Sequence, residues 1–142
     1  RAKQEMSAAG RYGKPLIMAC LDLDHFKAIN DLLGHSEGDQ VLKQVSDEFA
    51  DCVRDSDVLA RIGGDEFAMI LPNTTLTNAQ FLMDRICESI TALGLKAPGS
   101  KTLGVSIGLA QWSSDDSLEK WADMADAALY RAKDNGRSQV SL

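Results

Sequence analysis

The chain lacks the hallmarks of secreted, membrane-spanning and polymer-binding proteins. It has 3 cysteines, an odd number with no CxxC pair, and Cys20, Cys52 and Cys87 each lie in an apolar run. There a small buried hydrophobe is the expected role, not a disulfide, metal ligand or nucleophile. That usage fits a reducing cytoplasm. No apolar run approaches the ~20 residues of a membrane span, and no signal peptide is recognisable, so no membrane contact is expected from this segment. Basic residues are also short: 15 Lys and Arg against 21 Asp and Glu give a formal net charge of −6. Without a basic stripe, a nucleic-acid polymer is excluded as a partner.

What is present suits one globular domain. The 142 residues are 44% hydrophobic and 25% charged, enough for a single core. The acids suit a divalent cation, because magnesium is commonly held by one or two carboxylates together with substrate phosphates. Small phosphorylated ligands therefore remain compatible. The opening RAKQEMSAAGRYGKP is a polar helical stretch without an initiator methionine, which predicts a domain cut from a longer protein.

Hydrophobic periodicity gives the element order. LIMACLDL reads as a buried strand, and DHFKAINDLLG as a short helix with Phe26, Ile29 and Leu33 on one face, stopped by Gly34. A second helix carries Val41, Leu42, Val45, Phe49, Cys52 and Val53 at helical spacing, with Ser36 and Asp39 suited to its first turn. DVLARI and FAMIL read as two strands around GGDE. A third helix places Ala79, Met83, Ile86, Ile90 and Leu93 in a stripe; APGSK then breaks toward the strand LGVSIGLAQW. A fourth helix ends at Gly136, and SQVSL forms a short edge strand. Strand, helix, helix, strand, strand, helix, strand, helix, strand predicts an α+β fold: a ferredoxin-like palm, like that of class III nucleotidyl cyclases, with a central mostly antiparallel sheet flanked by helices. Such a palm brings the DLD at the end of the first strand beside GGDE.

RIGGDEFAMILP, residues 61–72, admits two readings. In one, Gly63 and Gly64 supply positive φ to a tight hairpin and Asp65 and Glu66 are solvated turn residues. In the other, the glycines let a ligand approach the backbone and the acids hold metal. A second carboxylate pair, Asp22 and Asp24, and the cations Lys133 and Arg137 favour the second reading, since together they suit phosphoryl or nucleotidyl transfer. Asp24 is compatible with helix N-capping or with a ligand role, and it is left out of the metal set.

DLDHFKAINDLLGHSEGDQVL, RDSD, RIGGDEFAMILP, VSIGLA and ADAALYRAKDNGR occur in an order and spacing that resemble the GGDEF domain, the diguanylate cyclase family of bacterial signalling proteins. The resemblance runs from about Pro15 to Val140. It implies condensation of two GTP into cyclic di-GMP with release of two pyrophosphates by a homodimer, each site using two magnesium ions, with manganese as a possible substitute. It implies Asp22, the Leu23 carbonyl, Asp65 and Glu66 as metal ligands, with Asp65 and Glu66 catalytic. Asn30 and Asp39 would read the guanine edge, His35 would lie near the nucleotide, and Phe26 would wall the pocket. Lys27, Lys133 and Arg137 would meet the phosphates over Gly63 and Gly64. Arg54 and Asp57 match an inhibitory RxxD site for the product, completed by Arg85.

The chain also departs from the family pattern. Of the D-x-L-T-x-L-x-N-R-R leader only Arg1, in the place of its last arginine, falls within these residues, and GRS stands where GRN is frequent. A sensory or regulatory domain on the N-terminal side is expected, as in the cytoplasmic part of a membrane-attached sensor. The competing class is a non-catalytic module that binds GTP or cyclic di-GMP.

Overall fold

A computed structural model describes residues 1–97, 99 and 101–142. The chain runs α1 (Ala2–Tyr12), β1 (Leu16–Asp24), α2 (Phe26–Leu33), α3 (His35–Cys52), β2 (Val58–Arg61), β3 (Glu66–Pro72), α4 (Leu76–Ala92), β4 (Lys96–Ala97), β5 (Lys101–Thr102), β6 (Gly104–Gln111), α5 (Leu118–Asp134) and β7 (Val140–Ser141). Five strands form one sheet in the order β2-β3-β1-β6-β7, and only the β6–β7 pair is parallel. This is the mostly antiparallel α+β palm that the element order predicts.

Strand β1 is central because it is apolar on both faces. Ile17, Ala19, Leu21 and Leu23 join the larger core with α2, α3 and α4, including Ile29, Phe49, Met83 and Ile90. Leu16 and Met18 join a smaller core with Ala9 of α1 and Trp121 and Ala125 of α5. The two faces alternate along the strand as its period of two requires.

Helix α5 packs unusually close to the sheet. A Cβ on Gly108 of β6 would fall 2.1 Å from the Leu129 nitrogen and 2.4 Å from the Ala125 carbonyl oxygen. Ala125, Ala128 and Ala132, all fully buried, continue this small-residue seam along the helix. The close approach carries the last turn of α5, with Lys133, to the end of β1.

Several boundaries differ from expectation. Asp24 does not cap α2: the position before that helix is His25, in the left-handed region at φ 67°, with no side-chain cap. Asp24 instead ends β1, held by partners far along the chain. α3 begins at His35, one residue earlier than its sequence start, after Gly34 at φ 88°. α5 ends at Asp134, with Asn135 rather than Gly136 at its cap. The stretch before β6 forms a small β4–β5 hairpin, although Pro98 and Ser100 of the expected APGSK break lie outside the described residues. Thr75 and Ser117 cap α4 and α5, each accepting a backbone N–H with its hydroxyl.

Candidate active site

The β1–β3 ladder pairs Asp22 directly with Glu66, so both side chains leave the same face of the sheet at its end. The Leu23 N–H donates to the Asp65 carbonyl at 3.1 Å, which ties the hairpin to the strand end. DLD and GGDE thus meet as the palm topology predicts. Lys133 reaches this point from α5 and forms an ion pair with Asp22 Oδ2.

The electrostatics are unbalanced. Asp22 is 7% exposed, and its Oδ1 is buried without a hydrogen-bond partner. Burial, reinforced by the facing Asp22 carboxylate, pushes Asp65 up to about 6. A buried carboxylate oxygen without a donor is costly, and a like charge beside it raises the cost. A divalent cation would relieve both, and oxygen ligands from two carboxylates suit magnesium. Among the described residues no group of three or more His, Cys, Asp or Glu side chains is gathered to form a complete protein cage. The two carboxylates, Asp22 and Asp65, suit a cation that is held by one or two side chains and completed by water or a phosphate. Glu66 is exposed beside this pair.

The glycines of the hairpin are not there for conformation. Neither Gly63 nor Gly64 has a positive φ, so the expectation of a left-handed turn is corrected. The turn is held by Glu66, whose carbonyl accepts from the Ile62 and Gly63 N–H groups at 2.8 and 3.3 Å. Arg61 straps it, donating to the Gly63 and Gly64 carbonyls at 3.0 and 2.9 Å. A Cβ at Gly64 would meet nothing within 4 Å, and one at Gly63 would meet only Glu66. Neither chain packing nor backbone angle demands glycine here, and the bare backbone of the turn is left open to close approach.

Helices α2 and α3 bring the proposed base-reading residues together. A Cβ on Gly38 would stand 1.8 Å from Asn30 Oδ1 and 3.4 Å from Phe26 Cζ, so the Asn30 carboxamide lies against the bare Gly38 backbone. Asp39 follows Gly38 on an exposed position, and His35 is exposed at the start of the same helix. Phe26 is buried beneath them, and Lys27 is exposed on the first turn of α2. Arg137 follows α5 in the left-handed region at φ 65°, its guanidinium 3.9 Å from Asp24 Oδ1.

The RDSD stretch forms a second, separate corner. Arg54 donates to Asp57 Oδ1 at 2.8 Å, to the Pro72 carbonyl at 2.9 Å and to Thr74 Oγ1 at 2.8 Å, while Asp57 Oδ2 accepts from the Arg54 N–H at 2.8 Å. Asp57 is buried, whereas the Arg54 side chain remains 54% exposed. Arg85 is exposed on α4 and close enough to act on Cys52 at the end of α3. Burial pushes the Cys52 thiol up, with Glu48 adding to the rise, while Arg85 opposes it; Cys52 ends α3 two residues before Arg54.

Two further features escaped the sequence reading. Gly38 and Gly108 are fixed by close contacts from elements distant in sequence, and no local period marks them. An apolar groove of about 430 Å³ lies on the α5 side and reaches Glu66; its charged lining residues are Glu66 and Asp126, both acids, so it does not suit a phosphate.

Comparison with known proteins places the chain in a family. The model of the diguanylate cyclase GGDEF domain matches residues 1–139. The chain is 39% identical to diguanylate cyclase DosC of Escherichia coli (strain K12) over 142 residues, covering 99% of this chain and 31% of that protein. It is 38% identical to diguanylate cyclase DgcP of Pseudomonas aeruginosa, covering 21% of it. It superposes with a TM-score of 0.90 on the crystal structure of the GGDEF domain of DgcB from Caulobacter crescentus in complex with c-di-GMP, at 32% identity, covering 97% of this chain and 83% of that one. The chain belongs to the GGDEF diguanylate cyclase family. It spans about a third or less of the length of these curated relatives. Among the described residues no helix is long and apolar enough to cross a membrane.

Proposed function

We propose that this domain condenses two GTP molecules into cyclic di-GMP and two pyrophosphates. The observation that carries the reading is the meeting of Asp22, Asp65, Glu66 and Lys133 at one end of the sheet, with a partnerless oxygen on Asp22 and Asp65 pushed up to about 6. The naming of relatives as diguanylate cyclases, and a structural neighbour bound to c-di-GMP, support it.

In each half-reaction the 3′-oxygen of one GTP bonds to the α-phosphorus of the other; the bond to pyrophosphate breaks and the hydroxyl proton departs. Asp65 is suited to take that proton by position, since its carboxyl faces Asp22 at the strand end where the attacking hydroxyl would meet the metal. Asn30 and Asp39 read the guanine edge, the amide and carboxylate matching its ring N–H and amino donors. Gly63 and Gly64 allow the ribose-phosphate close to the backbone, and Lys27, Lys133 and Arg137 compensate phosphate charge. Asp22, the Leu23 carbonyl, Asp65 and Glu66 would hold magnesium, two ions in our reading. Bound magnesium supplies charge neutralisation at the α-phosphate and lowers the pKa of the attacking hydroxyl.

One site holds one GTP, so two domains must face each other for ring closure, which makes a homodimer the active species. Arg54, Asp57 and Arg85 form the product-binding corner, and occupation of that corner would hold two domains apart. The deciding experiment incubates the protein with GTP and magnesium across a range of protein concentrations and separates the nucleotides by chromatography. Cyclic di-GMP formed at a rate per molecule that rises with concentration supports the reading. GTP or cyclic di-GMP binding without turnover at any concentration would replace it with a regulatory module.

A further inference from the structure

Asp24 is almost wholly buried, 3% exposed, yet both its oxygens are engaged within the chain. Oδ1 accepts from the Ser106 hydroxyl at 2.7 Å, and Oδ2 accepts from the Ser138 N–H at 2.9 Å. The Ser138 N–H also reaches Ser106 Oγ at 3.2 Å. Arg137, immediately before Ser138, places its guanidinium 3.9 Å from Asp24 Oδ1. Asp24, Ser106 and Ser138 link the end of β1, the first part of β6 and the segment after α5.

That last segment needs holding. Arg137 and Ser138 are consecutive non-glycine residues in the left-handed region, at φ 65° and 49°, a conformation that L residues adopt as isolated cases and at a cost. Gly104 leaves the room for it: a Cβ there would come within 2.8 Å of Ser138 Oγ and 3.3 Å of Asp24 Oδ2. The contrast with Asp22 is direct. Asp22 keeps a buried oxygen without a donor, whereas Asp24 has spent both oxygens on protein groups and is neither the helix cap nor a ligand in waiting.

We propose that Asp24 is a positioning residue for Arg137: its carboxylate fixes the Ser138 amide and faces the Arg137 guanidinium, holding the left-handed turn from which Arg137 reaches a nucleotide triphosphate. This rests on Arg137 being a phosphate ligand, as given above. The charge on Asp24 and the N–H bond act together. One sets the backbone; the other orients the side chain that leaves it.

The test measures GTP affinity by calorimetry for Asp24→Ala, Arg137→Ala and the double variant, together with manganese binding to the nucleotide-free protein and hydrogen exchange at the Ser138 amide. Asp24→Ala should weaken GTP binding roughly tenfold or more, the scale of one charge-assisted hydrogen bond. The double variant should be no weaker than Arg137→Ala alone, because the two residues act as one unit. The Ser138 amide should exchange faster, manganese affinity should match the parent, and Asp24→Asn should fall between, since its amide oxygen still accepts the Ser138 N–H. Additive losses in the double variant, a parent GTP affinity in Asp24→Ala, or loss of manganese affinity there would each overturn the proposal. If Arg137→Ala itself binds GTP like the parent, the phosphate reading fails and the inference with it; if only Asp24→Ala does, the inference fails alone. Should Asp24→Ala not fold, Asp24→Asn decides: parent GTP affinity with parent exchange at Ser138 rejects the proposal.

Discussion

Gly38 lies against the Asn30 carboxamide so closely that a single added carbon would overlap Oδ1 at 1.8 Å. The contact joins α2 to α3 and fixes the amide beside Asp39. Gly38→Ala must therefore move Asn30, separate the helices, or both. Overpacking of this kind costs about 1–3 kcal/mol. The variant should melt at a lower temperature and bind GTP at least roughly tenfold more weakly, as expected for one buried hydrogen bond to the base. Calorimetry beside a thermal melt checks this, and unchanged GTP affinity would remove Asn30 from the base-reading set.

Gly108→Ala tests the seam that brings Lys133 to Asp22. The new methyl would strike the backbone of α5, which cannot rotate away as a side chain can. Destabilisation of about 1–3 kcal/mol or more is expected in a urea titration, with cyclase activity falling further than the folded fraction, because α5 carries Lys133 and leads to Arg137. Full activity in the folded fraction would show that the helix position is not critical.

How much of this was legible in the sequence follows the range of each interaction. Strand β1 and the stripes of α3 and α4 are local periods, and the element order alone implied a palm that joins Asp22 to the GGDE hairpin. Asp24 was misleading because an Asp before a helix is a good local cap signal, whereas its partners Ser106 and Ser138 lie 82 and 114 residues away. Gly63 and Gly64 misled in the same way, since a glycine pair in a hairpin suggests positive φ, yet Arg61 and the Glu66 carbonyl hold this turn without it. The β4–β5 hairpin was too short to leave a pattern. Gly38 and Gly108 announce themselves only when another element is laid against them.

Asp65 gives a pH prediction with a definite sign. Its folded pKa, raised from 3.8 to about 6 by burial and by Asp22, lies above the unfolded value. The stabilisation linked to it is therefore complete below about pH 4 and is lost as pH rises through about 6. In the absence of metal and nucleotide, Asp65→Asn should raise the melting temperature at pH 7.5 more than at pH 5, while costing at least the roughly 10²–10⁴-fold in turnover typical of general acid–base catalysis. A variant equally stabilised at both pH values would contradict the assigned shift; near-parent turnover would reduce the hairpin to a turn.

Two of the three cysteines, Cys20 and Cys87, should be inert in the native state. Burial, aided by Asp126 and Asp84 respectively, pushes Cys20 and Cys87 up to about 12, and the thiolate is the reactive form. At pH 8, a disulfide reagent should modify these two only after denaturation, with Cys52 the first to react in the folded protein. Rapid native labelling of Cys87, read by peptide mass mapping, would contradict its burial against the Val105 carbonyl.

The proposed product-binding role of the RDSD corner is best tested through Arg85, because Arg54 has structural duties. Arg54 ties the Pro72 carbonyl and Thr74 to the end of α3, so Arg54→Ala would disturb the start of α4 as well as any ligand. Arg85 is exposed on α4, and among the described residues it makes no hydrogen bond or ion pair. Its removal should leave the folding stability within about 0.5 kcal/mol of the parent, as for a surface change away from any structural contact. If Arg85 grips a phosphate or guanine of cyclic di-GMP, Arg85→Ala should keep the initial rate, weaken product binding about tenfold or more through loss of a charge-assisted contact, and let product accumulate further before the reaction stalls. Progress curves with and without added cyclic di-GMP make the comparison. Equal inhibition of parent and variant, at equal stability, would take Arg85 out of the site.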